Sequence, residues 1–148
     1  MIRAATTDDI SAMVYLGQLM HDESPRYAKS EYKPEKLVAL ADHVLGGNGI
    51  AFVVEIGGEL VGMMVGLVTE HFFSDVRIGT DLALYIEPEH RGGRHAVRLV
   101  RAFEARAKEL GASEIELGVS TGYHAERTAD LYEALGYERN SIGLVKYV

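Results

Sequence analysis

Residues 77–119 limit the possible folds more than any other part of the sequence, because two strand-like segments flank a glycine turn and a long amphipathic helix. The first segment, RIGTDLALYIEP, has the alternation of a strand. Its two faces are expected to carry Leu82, Leu84 and Ile86 on one side and Asp81, Ala83 and Tyr85 on the other. Gly92 and Gly93 precede the helical pattern, Gly111 ends it, and SEIELGV follows as the second strand. A strand, a crossover helix and a strand predict one parallel pairing with a right-handed connection.

The chain before this unit has the pattern of an antiparallel meander. Two β-rich runs in residues 50–69 flank Gly57 and Gly58, which is the composition of a two-residue hairpin turn. Other patterns predict a short strand at residues 2–5, a final strand at residues 141–148, and helices at about residues 7–20, 34–45 and 124–135. The predicted fold class is therefore α+β (mixed α/β), with a central mixed, mostly antiparallel sheet of six to seven strands and helices on both faces.

The composition narrows the class of protein. At 148 residues the chain is long enough for one substantial core, and we expect a single domain over residues 1–148. The absence of cysteine excludes disulfides, thiolate metal sites and a cysteine nucleophile, and the six histidines lack metal-ligand spacing, so no metal is predicted. A net charge of −7 argues against duplex nucleic acid as a partner, and no apolar run approaches the ~18 residues of a membrane span. We expect a soluble, cytoplasmic protein with no nucleic-acid or membrane partner.

The start of the long helix carries a group of basic residues that is unusual in an acidic chain: Arg91, Arg94, His95, Arg98 and Arg101. A helix N-terminus favours anions, and exposed cations there cost ~0.3–1 kcal/mol each. The placement is explained if the turn holds phosphate, since free backbone N–H groups and arginines both bind it. The alternative is a solvated basic face in which Arg91 or Arg94 pairs with Glu87 or Glu89. Spacing alone leaves both interpretations open.

The residues around this turn resemble a known family. The run IEPEHRGGRHA, residues 86–96, is similar to the acetyl-CoA pyrophosphate loop of the GNAT superfamily of N-acyltransferases, whose signature is [QR]-x-x-G-x-[GA]. Arg91 fits the first position and Ala96 the last, whereas Arg94 stands where glycine is usual. The start of the chain, IRAATTDD, also resembles the family's first segment.

A second segment carries the same resemblance. Residues 125–138, AERTADLYEALGYE, are similar to the family's N-x-x-A-x-x-L-Y-x-x-x-G-F segment. They match at Leu131, Tyr132 and Gly136, with Tyr137 as an aromatic substitution, while Ala125 and Thr128 depart from the usual asparagine and alanine. The matching segments span nearly the whole chain in the order found in the family.

The resemblance implies an enzyme that transfers an acetyl group from acetyl-CoA directly to a primary amine of a small molecule, a peptide or a protein. It implies that a set of residues on the third long strand and the glycine turn binds the cofactor: Leu84, Tyr85, Ile86, Arg91, Gly92, Gly93, Arg94, His95 and Ala96. It also implies that Tyr132 is the general acid that protonates the departing thiolate, whereas periodicity alone favours a core aromatic residue. Homodimers are common in the family, so a homodimer is also to be considered.

The general base is not decided by the sequence. Glu70 or Asp81 is the candidate, and His71 is a further one, because these residues lie on or beside the strands expected to border the acceptor cleft. Each of them also suits an exposed surface. The acceptor-side segment is expected between the first two helices, at residues 21–33, whose mixed charge identifies no substrate.

Two other functions are compatible with parts of the sequence. A GNAT-like module that binds acyl-CoA without catalysis is the main alternative, because of the departure at Arg94. A serine hydrolase is a remote alternative, because residues 118–122 form a literal G-x-S-x-G around Ser120. The only later histidine, His124, follows too closely and precedes every later acidic residue, so a hydrolase triad is not expected. Ser120 or Thr121 is expected to cap the next helix instead.

Overall fold

The computed structural model describes residues 1–148 and contains a five-stranded sheet and four α-helices. The strands are β1 (Ile2–Ala4), β2 (Gly49–Ile56), β3 (Glu59–Glu70), β4 (Arg77–Ile86) and β5 (Glu114–Glu116). The helices are α1 (Ile10–Glu23), α2 (Pro34–Gly46), α3 (His95–Glu109) and α4 (Ala125–Ala134). The strand order is β1-β2-β3-β4-β5, and every pairing is antiparallel except β4 with β5. The predicted mixed, mostly antiparallel α+β sheet is confirmed.

Two apolar cores lie on the two faces of this sheet. The α3-side core contains Phe103 of α3 and Tyr132 of α4, together with β-strand residues such as Met64. The α1-side core contains Leu16 of α1 and Val44 of α2. Each helix therefore buries one stripe against the sheet, which is the pattern that the helical periodicity predicted.

Glycine at position 66 allows α3 to pack closely on the sheet. A Cβ atom at Gly66 would lie 2.5 Å from Cε2 of Phe103, a distance that carbon atoms do not tolerate. Phe103 is completely buried, so it has no room to retreat. A larger residue at position 66 would push α3 away from the strands.

A β-bulge interrupts β4 next to this glycine. Val65 pairs with Ala83 and Gly66 pairs with Asp81, which leaves Leu82 without a partner. An extra residue reverses the alternation of side chains beyond it. Asp81 consequently lies on the α3 side of the sheet, opposite Gly66. The predicted strand alternation is wrong at this point, because it placed Asp81 on the same side as Ala83 and Tyr85.

The predicted final strand is absent, so the sheet has five strands instead of six or seven. Residues 141–148 form no strand, and Ile142 and Leu144 are 89% and 94% exposed. The predicted strand at SEIELGV is also reduced, to the three residues of β5. A β-rich segment becomes a strand only where a neighbouring edge offers hydrogen bonds and burial, and β5 is too short to provide such an edge.

Candidate active site

The two parallel strands diverge and leave a cavity between them. β5 pairs with β4 only at residues Ile78–Thr80, and beyond this point β4 has no strand neighbour on that side. A cavity of about 610 Å³ opens there. Its lining includes Glu23 and Tyr27 from the α1 side of the sheet, and Leu131 and Tyr132 of α4 from the other. Two molecules could therefore meet in the cavity from opposite faces of the sheet.

The basic turn, residues 91–94, and the first turn of α3 form one end of this cavity. Gly92 has a φ of +82°, which favours glycine, and Gly92, Gly93, His95 and Ala96 all line the cavity. The first N–H groups of α3 have no helical partner, and the Nδ1 atom of His95 is buried without a hydrogen-bond partner. These groups fit a phosphate-bearing ligand, since they supply several donors and a helix N-terminus.

The arginines of the basic turn differ in position. Arg91 lines the cavity, whereas Arg94 is exposed and is not among the lining residues. Arg91 forms an ion pair with Glu23 of α1, at 2.8 Å, and not with Glu87 or Glu89, the partners that the alternative of a solvated basic face named. Nothing in the sequence connects Glu23 with the turn, because Glu23 and Arg91 are 68 positions apart.

The expected pantetheine strand also borders the cavity. Leu84, Tyr85 and Ile86 of β4 all line it, beyond the last residue that pairs with β5. Apart from the Ile86 carbonyl, which accepts a hydrogen bond from Arg91, the backbone groups on this side of β4 are open to a ligand that lies along the strand. Burial raises the pKa of the Tyr85 phenol, so this side chain stays protonated at neutral pH.

Tyr132 and Asp81 both line the cavity. Tyr132 is 5% exposed and reaches the cavity from α4. Burial raises the pKa of Tyr132 well above its ordinary value, and the negative charge of Asp81 raises it further. Burial also raises the pKa of the Asp81 carboxyl group, although the hydrogen bond from the backbone N–H of Gly118 opposes this effect. The site thus combines a protonated phenol with a carboxylate that is more basic than usual.

The other base candidates lie outside the cavity. Glu70 is exposed at the end of β3, opposite Arg77, and does not line the cavity. His71 stacks on the exposed rings of Phe72 and Phe73 in the hairpin between β3 and β4. Of the three candidates, only Asp81 is placed near Tyr132.

Ser120 lies in a contact between two loops. Its Oγ atom is 2.5 Å from the hydroxyl oxygen of Tyr27, and Ser24 donates a hydrogen bond of 2.5 Å to the carbonyl oxygen of Thr121. The residue before α4 is His124, so neither Ser120 nor Thr121 caps this helix as expected. The hydroxyl of Ser120 contacts a tyrosine where a hydrolase needs a histidine, so the hydrolase alternative is not supported. These contacts join residues 24–27, within the expected acceptor-side segment, to the loop between β5 and α4.

The mixed sheet and the glycine-rich turn before α3 are those expected from the resemblance to the GNAT superfamily. Comparison with known families agrees: the sequence profile described as "Acetyltransferase (GNAT) family" matches residues 16–137. The chain belongs to this acetyltransferase family. Among curated proteins, none matches the sequence.

Solved structures of similar fold cover the whole chain. One is a transcriptional regulator from Bacillus halodurans C-125, with 25% identity, a TM-score of 0.80 and coverage of 100% of this chain and 99% of that one. A ribosomal-protein-alanine N-acetyltransferase from Brucella melitensis biovar Abortus 2308 has 20% identity and a TM-score of 0.71, with 100% and 99% covered. The aminoglycoside enzyme AAC(6')-Iy, bound to a bisubstrate analogue containing CoA, has 14% identity and a TM-score of 0.80, with 100% and 97% covered.

Proposed function

We propose that the protein is an N-acetyltransferase that transfers an acetyl group from acetyl-CoA directly to a primary amine. The observation that carries the proposal is the cavity between β4 and β5, which has the basic turn at one end and Tyr132 in its wall. The complexes of AAC(6')-Iy with CoA and with a CoA-containing bisubstrate analogue support acetyl-CoA as the donor. Both cores lie on one shared sheet, so we propose that residues 1–148 act as a single domain.

The proposed donor arrangement follows from the cavity lining. The pyrophosphate would bind the basic turn and the N-terminus of α3, near His95. The pantetheine arm would lie along Leu84, Tyr85 and Ile86, where β4 lacks a strand neighbour. The acetyl thioester would then come close to Asp81 and Tyr132. No metal is required by this arrangement.

The proposed reaction is a direct attack of the amine on the thioester. The neutral amine nitrogen forms a bond to the carbonyl carbon, the C–S bond breaks, and the sulfur leaves as a thiolate. Tyr132 donates its hydroxyl proton to the thiolate, and the Asp81 carboxylate accepts the proton that the amine loses, directly or through a water molecule. Both side chains regain their starting protonation by exchange with solvent. The raised pKa of Asp81 suits a base, because its carboxylate binds a proton more strongly than an exposed one does. The raised pKa of Tyr132 keeps the phenol in its proton-donating form, and it also makes the phenol a weaker acid.

The acceptor is proposed only as a primary amine. Relatives of similar fold include an aminoglycoside acetyltransferase and a ribosomal-protein-alanine N-acetyltransferase, which supports both small molecules and protein N-termini as classes to test. The acceptor would enter from the α1 side, past Glu23 and Tyr27. A homodimer and a cytoplasmic location stay predictions. None of the helices combines the length and the apolar character needed to cross a membrane.

A turnover assay tests the proposal. The protein is incubated with acetyl-CoA and a panel of amines, free CoA thiol is measured with a thiol-reactive dye, and acetylated products are identified by mass spectrometry. The proposal predicts amine-dependent thiol release with at least one class of acceptor. Tight binding of acetyl-CoA without turnover of any amine would favour the non-catalytic acyl-CoA-binding module.

A further inference from the structure

Arg91 occupies the first position of the pyrophosphate signature, yet its side chain contacts the ends of β4 and α1. Its Nε atom donates a hydrogen bond of 2.6 Å to the carbonyl oxygen of Ile86. One terminal nitrogen lies 2.8 and 2.9 Å from the two carboxylate oxygens of Glu23. The guanidinium carbon is 5.3 Å from the centre of the Tyr85 ring. The guanidinium group is therefore held by three different partners.

These contacts are stronger than those of an ordinary surface ion pair. The side chains of Arg91 and Glu23 are only 29% and 23% exposed, so solvent screens their charges incompletely. The backbone N–H of Arg91 is also engaged, in a hydrogen bond of 3.2 Å to the carbonyl oxygen of Pro88. Both the main chain and the side chain of this residue are thus fixed.

The rest of the basic turn lacks such support. Gly92 and Gly93 have no side chains, and a Cβ atom at either would meet nothing within 4 Å. Arg94 is exposed. Arg91 is consequently the side chain that connects the turn to β4 and α1, and a glycine-rich turn without such a connection would sample many conformations.

We propose that Glu23 is a positioning residue for the cofactor. It holds Arg91 on the carbonyl of Ile86, and this arrangement keeps the basic turn in the conformation whose backbone N–H groups bind the pyrophosphate. Arg91 thus acts through the turn and does not bind phosphate through its guanidinium group. Because Glu23 ends α1 and lines the acceptor side of the cavity, the two substrate sides share this residue. The inference rests on the proposed function, since it takes acyl-CoA as the ligand.

The direction in which one substitution changes the Kd for acetyl-CoA separates this role from direct phosphate binding. Glu23→Gln removes the carboxylate charge and keeps the shape of the side chain. If Glu23 positions Arg91, the Kd for acetyl-CoA measured by calorimetry should rise about threefold to tenfold, within the range of coupled contacts. If Arg91 binds phosphate, loss of its competitor and of a nearby negative charge should leave the Kd unchanged or lower it. Either of these two results would overturn the inference.

Glu87→Gln and Glu89→Gln serve as matched controls. They make the same charge change beside the turn, and neither carboxylate forms an ion pair with Arg91. Their Kd for acetyl-CoA should stay at or slightly below the wild-type value, because negative charge near the phosphates is removed. A rise in these controls equal to that of Glu23→Gln would contradict the proposed role of the ion pair.

Arg91→Lys supplies a second test that does not depend on Glu23. Lysine keeps the positive charge but cannot contact the Ile86 carbonyl and Glu23 with a planar fork. We expect it to weaken binding as much as Glu23→Gln does, and the double variant to be no weaker than either single variant. Full retention of binding by Arg91→Lys would overturn the inference. Failure of the wild-type protein to bind any acyl-CoA would instead refute the proposed function, and the inference with it.

Discussion

The carboxylate of Asp81 accepts a hydrogen bond of 3.1 Å from the backbone N–H of Gly118, across the point where β4 and β5 diverge. The β-bulge at Leu82 creates this relationship, because it moves Asp81 to the face of the sheet that Tyr132 also occupies. The Asp81 carboxylate thus links β4 to the loop that follows β5, and it also lines the cavity. This dual position makes Asp81 the first residue to test.

Asp81→Asn should separate the chemical role from the structural one. Asparagine keeps an oxygen that can accept the Gly118 hydrogen bond but cannot accept a proton as a base. We expect kcat/KM to fall by ~10²-fold or more, the lower end of general acid–base contributions. The acidic limb of the wild-type pH profile should lie above the ordinary pKa of an aspartate, because the Asp81 pKa is raised by burial, and the variant should lack that limb.

The direction in which Asp81→Asn changes the stability of the protein can also be predicted. A carboxyl group whose pKa is higher in the folded than in the unfolded state lowers stability as the pH rises through the folded pKa. The neutral amide avoids that loss, so the melting temperature of Asp81→Asn at pH 7 should equal or exceed that of the wild type. Glu70→Gln is the control, since Glu70 lies outside the cavity, and its kcat/KM should be unchanged. Loss of activity in Glu70→Gln, with normal activity in Asp81→Asn, would identify Glu70 as the base.

Tyr132→Phe should reduce kcat and leave the fold intact. Removal of the hydroxyl deletes the proposed proton donor, so kcat should fall by ~10²-fold or more, with a smaller change in KM for acetyl-CoA. The melting temperature should change little because the ring stays in the α3-side core. Since burial raises the Tyr132 pKa, the wild-type kcat should show no loss from tyrosine ionisation up to about pH 10.

Tyr137→Phe is the matched control for this experiment. Tyr137 packs against Tyr132, with ring centres 5.8 Å apart, and its hydroxyl donates a hydrogen bond of 2.8 Å to Glu104. Its substitution should lower the melting temperature and spare kcat. Normal turnover in Tyr132→Phe together with a large loss of stability would show that Tyr132 is only a core residue.

Arg94→Ala tests the departure from the family signature. The side chain is exposed and outside the cavity lining, so a contact with phosphate would be screened by solvent. The KM for acetyl-CoA should rise less than about threefold at low salt and be unchanged at high salt. A rise of tenfold or more that persists at high salt would show that Arg94 closes onto the phosphates when the cofactor binds.

Asp9 should contribute to stability above pH 4 and lose this contribution in acid. Arg3 contacts both of its carboxylate oxygens, at 2.7 and 2.9 Å, and holds the Asp9 pKa at about 2 instead of 3.8. Because the folded pKa is the lower one, the stabilisation is present above the unfolded pKa and disappears as the pH falls through the folded pKa. Asp9→Asn should cost about 1–3 kcal/mol at pH 7 and much less at pH 2, as measured by chemical unfolding. An equal loss at both pH values would contradict the ion-pair origin.

Local sequence patterns were sufficient to predict most of the secondary structure and the glycine-rich turn before α3. β-rich composition predicted β2 and β3, alternation with period two predicted the outer part of β4, and glycines marked the hairpin and the end of α3. These features depend on neighbours within a few residues, which a sequence displays directly. The motif containing Tyr132 likewise identified a residue that reaches the cavity.

Only the tertiary structure decided which side chains meet. A bulge depends on how β3 and β4 are aligned, so the reversal that brings Asp81 to the face of Tyr132 is invisible in the alternation of β4 alone. The Arg91–Glu23 pair joins residues 68 positions apart, and nothing local to either residue indicates the other. The segment 141–148 has the composition of a strand but lacks a partner edge, because strand formation needs hydrogen bonds from a second segment, and composition describes only the first.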